Sequence, residues 1–134
     1  MKKVLFVLLV FMQFFSGCQN KVVQTSSYIN LTDVDSITIK ALPNPPTIKR
    51  IDKKDDINEI ITHINSIHKE KVKQEDIKGW EFYIQAEGKN EHFICLVGNM
   101  LNIDGIWYEA EVDEIKNFRD LYNNLNYKEE NVTK

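Results

Sequence analysis

Cysteine occurs twice, proline three times, glycine five times and arginine twice in this chain. Two cysteines exclude a disulfide-dense scaffold. So few prolines and glycines exclude collagen-like and low-complexity polymers and leave no room for a glycine-rich phosphate loop. An excess of positive charge is also missing. The 17 Lys and Arg residues face 20 Asp and Glu, a formal balance of -3, which argues against a nucleic-acid binder that relies on a broad basic surface. Long apolar runs are absent too: the longest, Val4 to Phe15 with Gln13 inside it, falls short of the roughly 20 residues a membrane-spanning helix needs. What is present is one domain's worth of chain, 134 residues with 43% hydrophobic content.

The run at the N-terminus has a grammar of its own. Lys2 and Lys3 precede it, and Ser16, Gly17 and Cys18 follow it. A charged start, an apolar middle and small residues at a cut make a secretory signal, with the lysines held on the cytoplasmic side. Phe15-Ser16-Gly17-Cys18 resembles the lipobox of bacterial lipoproteins, with Phe15 where the family usually has leucine. The resemblance implies cleavage between Gly17 and Cys18 and a diacylglycerol on the Cys18 sulfur, with palmitate-type acyl chains as the covalent lipid in place of any cofactor. Two acyl chains give durable anchoring where one binds marginally. An ordinary secreted protein with a coincidental Cys18 is the competing reading. Cleavage removes Lys2 and Lys3, so 15 basic residues face 20 acidic ones, a mature balance of -5. A lipidated Cys18 leaves Cys95 without a disulfide partner, and the apolar run His92 to Val97 around it marks a buried, inert thiol.

The organisation expected after the signal peptide (1–17) is a lipidated N-terminus and flexible tether (18–36), one α+β domain (37–127) and a polar tail (128–134). Ile37 and Ile39 alternate with Thr38 and Lys40 as a strand does. Pro43, Pro45 and Pro46 stop it before a second short strand at Thr47 to Ile51. Asp56 and Glu59 have capping-box spacing, and Ile57, Ile60, Ile61, Ile64 and Ile67 form a helical stripe expected to end near Glu70 to Lys73. Trp80, Phe82, Ile84 and Ala86 alternate as a half-buried strand, and His92 to Val97 returns beside it. Asp104-Gly105 is a two-residue hairpin signal that sets Ile103 opposite Ile106 and Leu101 opposite Tyr108. Asp113 reads as the cap of a last helix carrying Phe118, Leu121, Tyr122 and Leu125. Together these predict an antiparallel sheet of about four to five strands with two amphipathic helices on one face.

Motifs for chemistry are absent. His63 and His68 are five residues apart, which puts them on different sides of a helix, and no Cys pair or His-Glu-x-x-His accompanies them or His92. No metal site and no catalytic residue is therefore predicted. No serine lies in a Gly-x-Ser-x-Gly setting. The acidic residues read as caps and solvated faces, with one exception: the hairpin register turns Trp107 away from the core, with Glu109 and Glu111 on the same side. Trp107, Glu109 and Glu111 are the candidate partner surface, while Trp80 is assigned to core packing.

The layout as a whole resembles small lipoproteins of Gram-positive bacteria, carried by an anchored tether, an isoleucine-rich helix and a hairpin such as Asn102-Ile103-Asp104-Gly105-Ile106-Trp107-Tyr108-Glu109 before a last helix. The resemblance implies a location at the cell membrane, anchored by lipid on its extracytoplasmic face, and implies no activity. The function expected is a non-enzymatic interaction module with an envelope protein as partner and no nucleic acid. A small-ligand-binding or transporter-accessory lipoprotein is the alternative, and an envelope hydrolase using paired carboxylates stands behind it.

Overall fold

A computed structural model describes residues 28–42, 46–73, 77 and 79–132. The signal peptide, Gly17, Cys18, the first part of the tether and the loop at 43–45 lie outside the described residues. Among the described residues the fold is α+β, built on one antiparallel sheet of eight strands and two α-helices. In chain order these are β1 (Val34–Ala41), β2 (Thr47–Ile51), α1 (Lys54–Ser66), β3 (Lys69–Lys71), β4 (Phe82–Gly88), β5 (His92–Val97), β6 (Met100–Ile103), β7 (Ile106–Ala110), α2 (Val112–Asn124) and β8 (Glu130–Asn131). The strand order across the sheet is β3-β7-β6-β5-β4-β1-β2-β8.

The sheet exceeds the four to five strands expected, and the short edge strands are part of the reason. Lys69–Lys71, expected as the end of α1, pairs with β7, because the helix stops at Ser66 and Ile67 turns to an extended ψ. The polar tail supplies β8, which pairs with β2 through Thr47 and Ile48. The N-terminal boundary also moves. Ile29 is 1% exposed and is held by Asn65, whose side chain accepts from its N–H at 2.9 Å and donates to its carbonyl at 2.8 Å. Residues 29–36, expected in the tether, are docked on the domain through these bonds and through Lys54 Nζ, which donates to the Val34 carbonyl at 2.7 Å.

One side of the sheet is the core. Alternation sends Ile37, Ile39, Phe82, Ile84, Ala86, Ile94, Leu96, Leu101, Ile103 and Tyr108 to the same face, where they bury against Ile57, Ile60, Ile61 and Ile64 of α1 and Phe118 and Tyr122 of α2. Phe82 meets Phe118 edge-on at 5.2 Å between ring centroids and Tyr122 at 5.3 Å. The β6–β7 hairpin forms in the predicted register, Leu101 opposite Tyr108 and Ile103 opposite Ile106, with Asp104 (φ 52) and Gly105 (φ 85) in the left-handed region that the turn demands.

The predicted caps are replaced by other contacts. Lys53 and Glu111 occupy the N-cap positions of α1 and α2, neither with a side-chain cap bond. Asp56 instead accepts a 2.6 Å hydrogen bond from the Tyr127 hydroxyl. Burial and that bond together push the Tyr127 pKa up to about 12. The other end of α2 is held by Lys49, 4% exposed, whose Nζ donates to the Tyr122 carbonyl at 2.8 Å and the Leu125 carbonyl at 3.0 Å.

Candidate functional site

The opposite face of the sheet carries no helix among the described residues. Its central row follows directly from the pairings: Trp107 beside Asn102, Asn102 beside Cys95, Cys95 beside Tyr83, Tyr83 beside Lys40, Lys40 beside Ile48 and Ile48 beside Glu130. On one side of this row run Glu70, Glu109, Met100 and Val97, and on the other Phe93, Gln85, Thr38 and Arg50. A solvated face of an antiparallel sheet is ordinarily polar. This one has Val97, Cys95, Phe93, Tyr83, Met100 and Trp107 at its middle, of which Phe93 is 39% exposed.

Three aromatic rings, Trp80, Tyr83 and Phe93, form a connected patch. Tyr83 lies 6.1 Å from Trp80 and 6.3 Å from Phe93, and the Lys40 ammonium sits 5.5 Å from the Tyr83 ring centroid. Trp80, assigned to the core from alternation, is therefore a correction: β4 opens only at Phe82, after a bend at Glu81, and the ring rests against Tyr83. Cys95 is half-buried in the same row, and burial pushes its thiol above the ordinary range, which suits an unreactive sulfur. The Tyr83 hydroxyl is pushed up as well, by burial first and then by the neighbouring Cys95 and Glu91.

Of the sequence-predicted surface, the sheet places Trp107 and Glu109 on this face and does not place Glu111 there. β7 ends at Ala110, so Glu111 leaves the strand and becomes the exposed N-cap residue of α2. It meets Glu109 again across a cleft of about 290 Å³ that His68, Glu70 and Ala110 also line. Around the corner a wider groove of about 510 Å³ is lined by Lys71, Val72, Lys73, Gly105, Ile106 and Trp107. Both are open surface features with polar and apolar walls, unlike the enclosed chambers in which small ligands are usually buried.

Charge on the helix-free face is uneven. Glu70, Glu109, Glu87, Glu91 and Glu130 stand on it, against Lys40 and Arg50. Arg50 is already paired with Glu130 at 3.8 Å. Glu109 accepts from the Asn99 side chain at 2.9 Å and Glu87 and Glu91 both accept from Gln85, so these carboxylates are oriented by neutral donors and form no salt bridge among the described residues.

His92, Asp104, Arg119 and Glu81 are used within the fold. His92 Nδ1 lies 2.8 Å from Asp104 Oδ2, whose other oxygen accepts from the Phe93 amide at 2.8 Å, a clamp between β5 and the β6–β7 turn. Arg119 pairs with Glu81 and lies over the Phe82 ring at 5.1 Å. No group of three or more His, Cys, Asp or Glu residues placed to hold a metal ion occurs among the described residues. No helix among them is long and apolar enough to cross a membrane. Comparison with protein-family models, with curated proteins and with solved structures gave no match to this chain.

Proposed function

We propose that this is a lipid-anchored extracytoplasmic interaction module, held at the cell membrane through Cys18, that uses the helix-free face of its sheet to bind a protein of the envelope. The observation that carries the reading is the aromatic and aliphatic centre of that face, Phe93, Tyr83, Cys95, Val97, Met100 and Trp107, on the side of the sheet opposite both helices. Apolar patches of this kind, rimmed by charge, mark binding surfaces in soluble domains. The anchor is supported by Lys2, Lys3, the apolar run and Ser16-Gly17-Cys18. The non-enzymatic character is supported by the use of His92, Asp104, Arg119 and Glu81 as structural clamps.

The test is photo-crosslinking in cells from positions 93 and 107, with position 59 on α1 as the off-face control and Cys18→Ala as the untethered control. A specific envelope protein captured from positions 93 and 107, and not from position 59, is the expected result. Capture from all three positions alike, or from none, refutes the surface. Cys18→Ala recovered in the membrane fraction to the same extent as wild type refutes the anchor.

The groove beside Trp107 favours a second reading, a binder of small anionic ligands, because Lys71 and Lys73 share it with an aromatic wall. That reading predicts that Lys71→Glu and Lys73→Glu abolish ligand protection against thermal unfolding while leaving crosslinking from position 93 untouched.

A further inference from the structure

We infer that the occupant of the helix-free face is a cationic polypeptide surface, one whose basic residues flank apolar side chains; this rests on the reading of that face as an interaction surface. Four carboxylates, Glu70, Glu109, Glu87 and Glu91, stand at the borders of the apolar centre, where Lys40 lies over Tyr83 and Lys71 and Lys73 line the groove beyond Trp107, while Arg50 and Glu130 pair with each other farther along the face. The arrangement has a direction. Glu70 and Glu109 sit side by side on β3 and β7, directly beyond Met100, while Glu87 and Glu91 gather at the β4–β5 end next to Gln85 and Phe93. An apolar patch thus has acid at two of its borders, and a partner that fills the middle brings its rim over both.

Two other occupants fit less well. A second copy of this chain would bring an equally acidic rim against this one, and like charges across an interface oppose association. A membrane of anionic lipid would meet the same carboxylates, and an acidic surface is repelled by the negative potential of such a leaflet. A basic partner gains from the field in both the encounter and the complex, because rim charges steer diffusional approach and fix orientation.

Binding of two fluorescently labelled synthetic peptides to the full chain in neutral detergent micelles tests the inference. One alternates lysine with leucine and the other glutamate with leucine. The lysine peptide is expected to bind, and to weaken by about ten-fold or more in Glu70→Lys/Glu109→Lys, since each reversed rim charge exchanges an attraction for a repulsion of similar size. A charge-matched control, Glu59→Lys/Asp120→Lys on the exposed sides of the two helices, is expected to bind within about two-fold of wild type, because those residues stand on the other side of the sheet, where salt screens their charge from the face. Phe93→Ser is expected to weaken binding of the lysine peptide as well. Equal binding of the glutamate peptide overturns the inference, as does an equal loss in both double variants. Self-association of the full chain that Phe93→Ser abolishes names a second copy as the occupant, and binding to phosphatidylglycerol vesicles that Phe93→Ser abolishes names lipid; each overturns it. In-cell capture from positions 93 and 107 separates the two levels: an acidic partner there leaves the interaction surface standing and this inference refuted, whereas failure to capture a partner refutes the surface itself.

Discussion

Lys49→Met isolates one ammonium in the core while keeping most of the side chain's length and apolar stem. Lys49 lies on β2 with its Nζ between the last carbonyls of α2, at 2.8 Å from Tyr122 O and 3.0 Å from Leu125 O, 4.3 Å from the Tyr122 ring centroid and 3.7 Å from Glu129. Each charge-assisted bond contributes about 1.5–3 kcal/mol, and a cation at a helix C-terminus adds about 0.3–1 kcal/mol. Two offsets reduce the total. The desolvation of the buried ammonium is relieved in the variant, and both carbonyls keep a backbone donor, Leu125 N–H to Tyr122 O at 3.3 Å and Tyr127 N–H to Leu125 O at 3.0 Å. The net expected loss is about 2 kcal/mol, which at about 4–8 °C per kcal/mol lowers the melting midpoint by about 8–16 °C in a domain of this size. Urea unfolding followed by circular dichroism measures it directly, with the slope m unchanged and the midpoint lowered. Lys49→Ala, which also removes the stem from the Tyr122 ring, falls further, while Glu129→Gln moves stability by less than about 0.5 kcal/mol because that carboxylate is half-exposed. A Lys49→Met protein as stable as wild type, or more so, would show that desolvation outweighs the carbonyl bonds and refute the reasoning.

Gly88→Ala places a Cβ 2.1 Å from the Asp33 carbonyl oxygen, so backbone must move; a loss of about 2–3 kcal/mol is expected in the same urea assay. His63 buries its Nε2 without a hydrogen-bond partner among the described residues while its ring packs 5.8 Å from Phe118, so His63→Leu is expected to be neutral or stabilising by up to about 1 kcal/mol, and a clear loss would reveal a partner for that nitrogen. Tyr127 binds its proton more tightly folded than unfolded, with a pKa raised from 10.0 to about 12, so its contribution is complete below pH 10 and is lost as pH rises towards 12; the pH–stability curve of Tyr127→Phe is expected to fall less steeply over that window. Asp104→Ala removes the acceptor of the Phe93 amide and leaves a non-glycine residue at φ 52 with no polar side chain to favour it, for an expected loss of about 1–2 kcal/mol.

The parts of the fold legible in the sequence are those decided by neighbours in the chain. Asp104-Gly105 fixes a turn, and the turn fixes the pairing of Leu101 with Tyr108 and Ile103 with Ile106. The isoleucine stripe of α1 likewise needs only its own spacing, and Ile57, Ile60, Ile61 and Ile64 are all fully buried. What escaped depends on residues far away. Lys69-Glu70-Lys71 has no apolar period and is a strand only because β7 offers it an edge. Asp56 has the spacing of a cap, yet a tyrosine 71 positions later reaches its carboxylate. Residues 29–36 look like tether until Asn65 is seen to bond both backbone groups of Ile29.

The face proposed as an interaction surface shows the same division more sharply. Trp107 and Glu109 were legible because the hairpin register propagates outward from a local turn. Glu111 was assigned to the same strand because nothing local marks Ala110 as its last residue. Phe93, Cys95 and Val97 were hidden for a different reason: His92-Phe93-Ile94-Cys95-Leu96-Val97 is apolar at nearly every position, so period two cannot say which half faces the helices. That uniformity was itself the signal. A strand apolar on both sides suits the interior of a three-layer protein, and only two helical segments could be read from this chain. With Ile94 and Leu96 buried under those helices, Phe93, Cys95 and Val97 were left over on the far side of a sheet that no helix among the described residues covers. Counting layers against apolar faces therefore points to the open face before any coordinate does, and the acidic residues beside it are the ground on which a basic occupant is proposed.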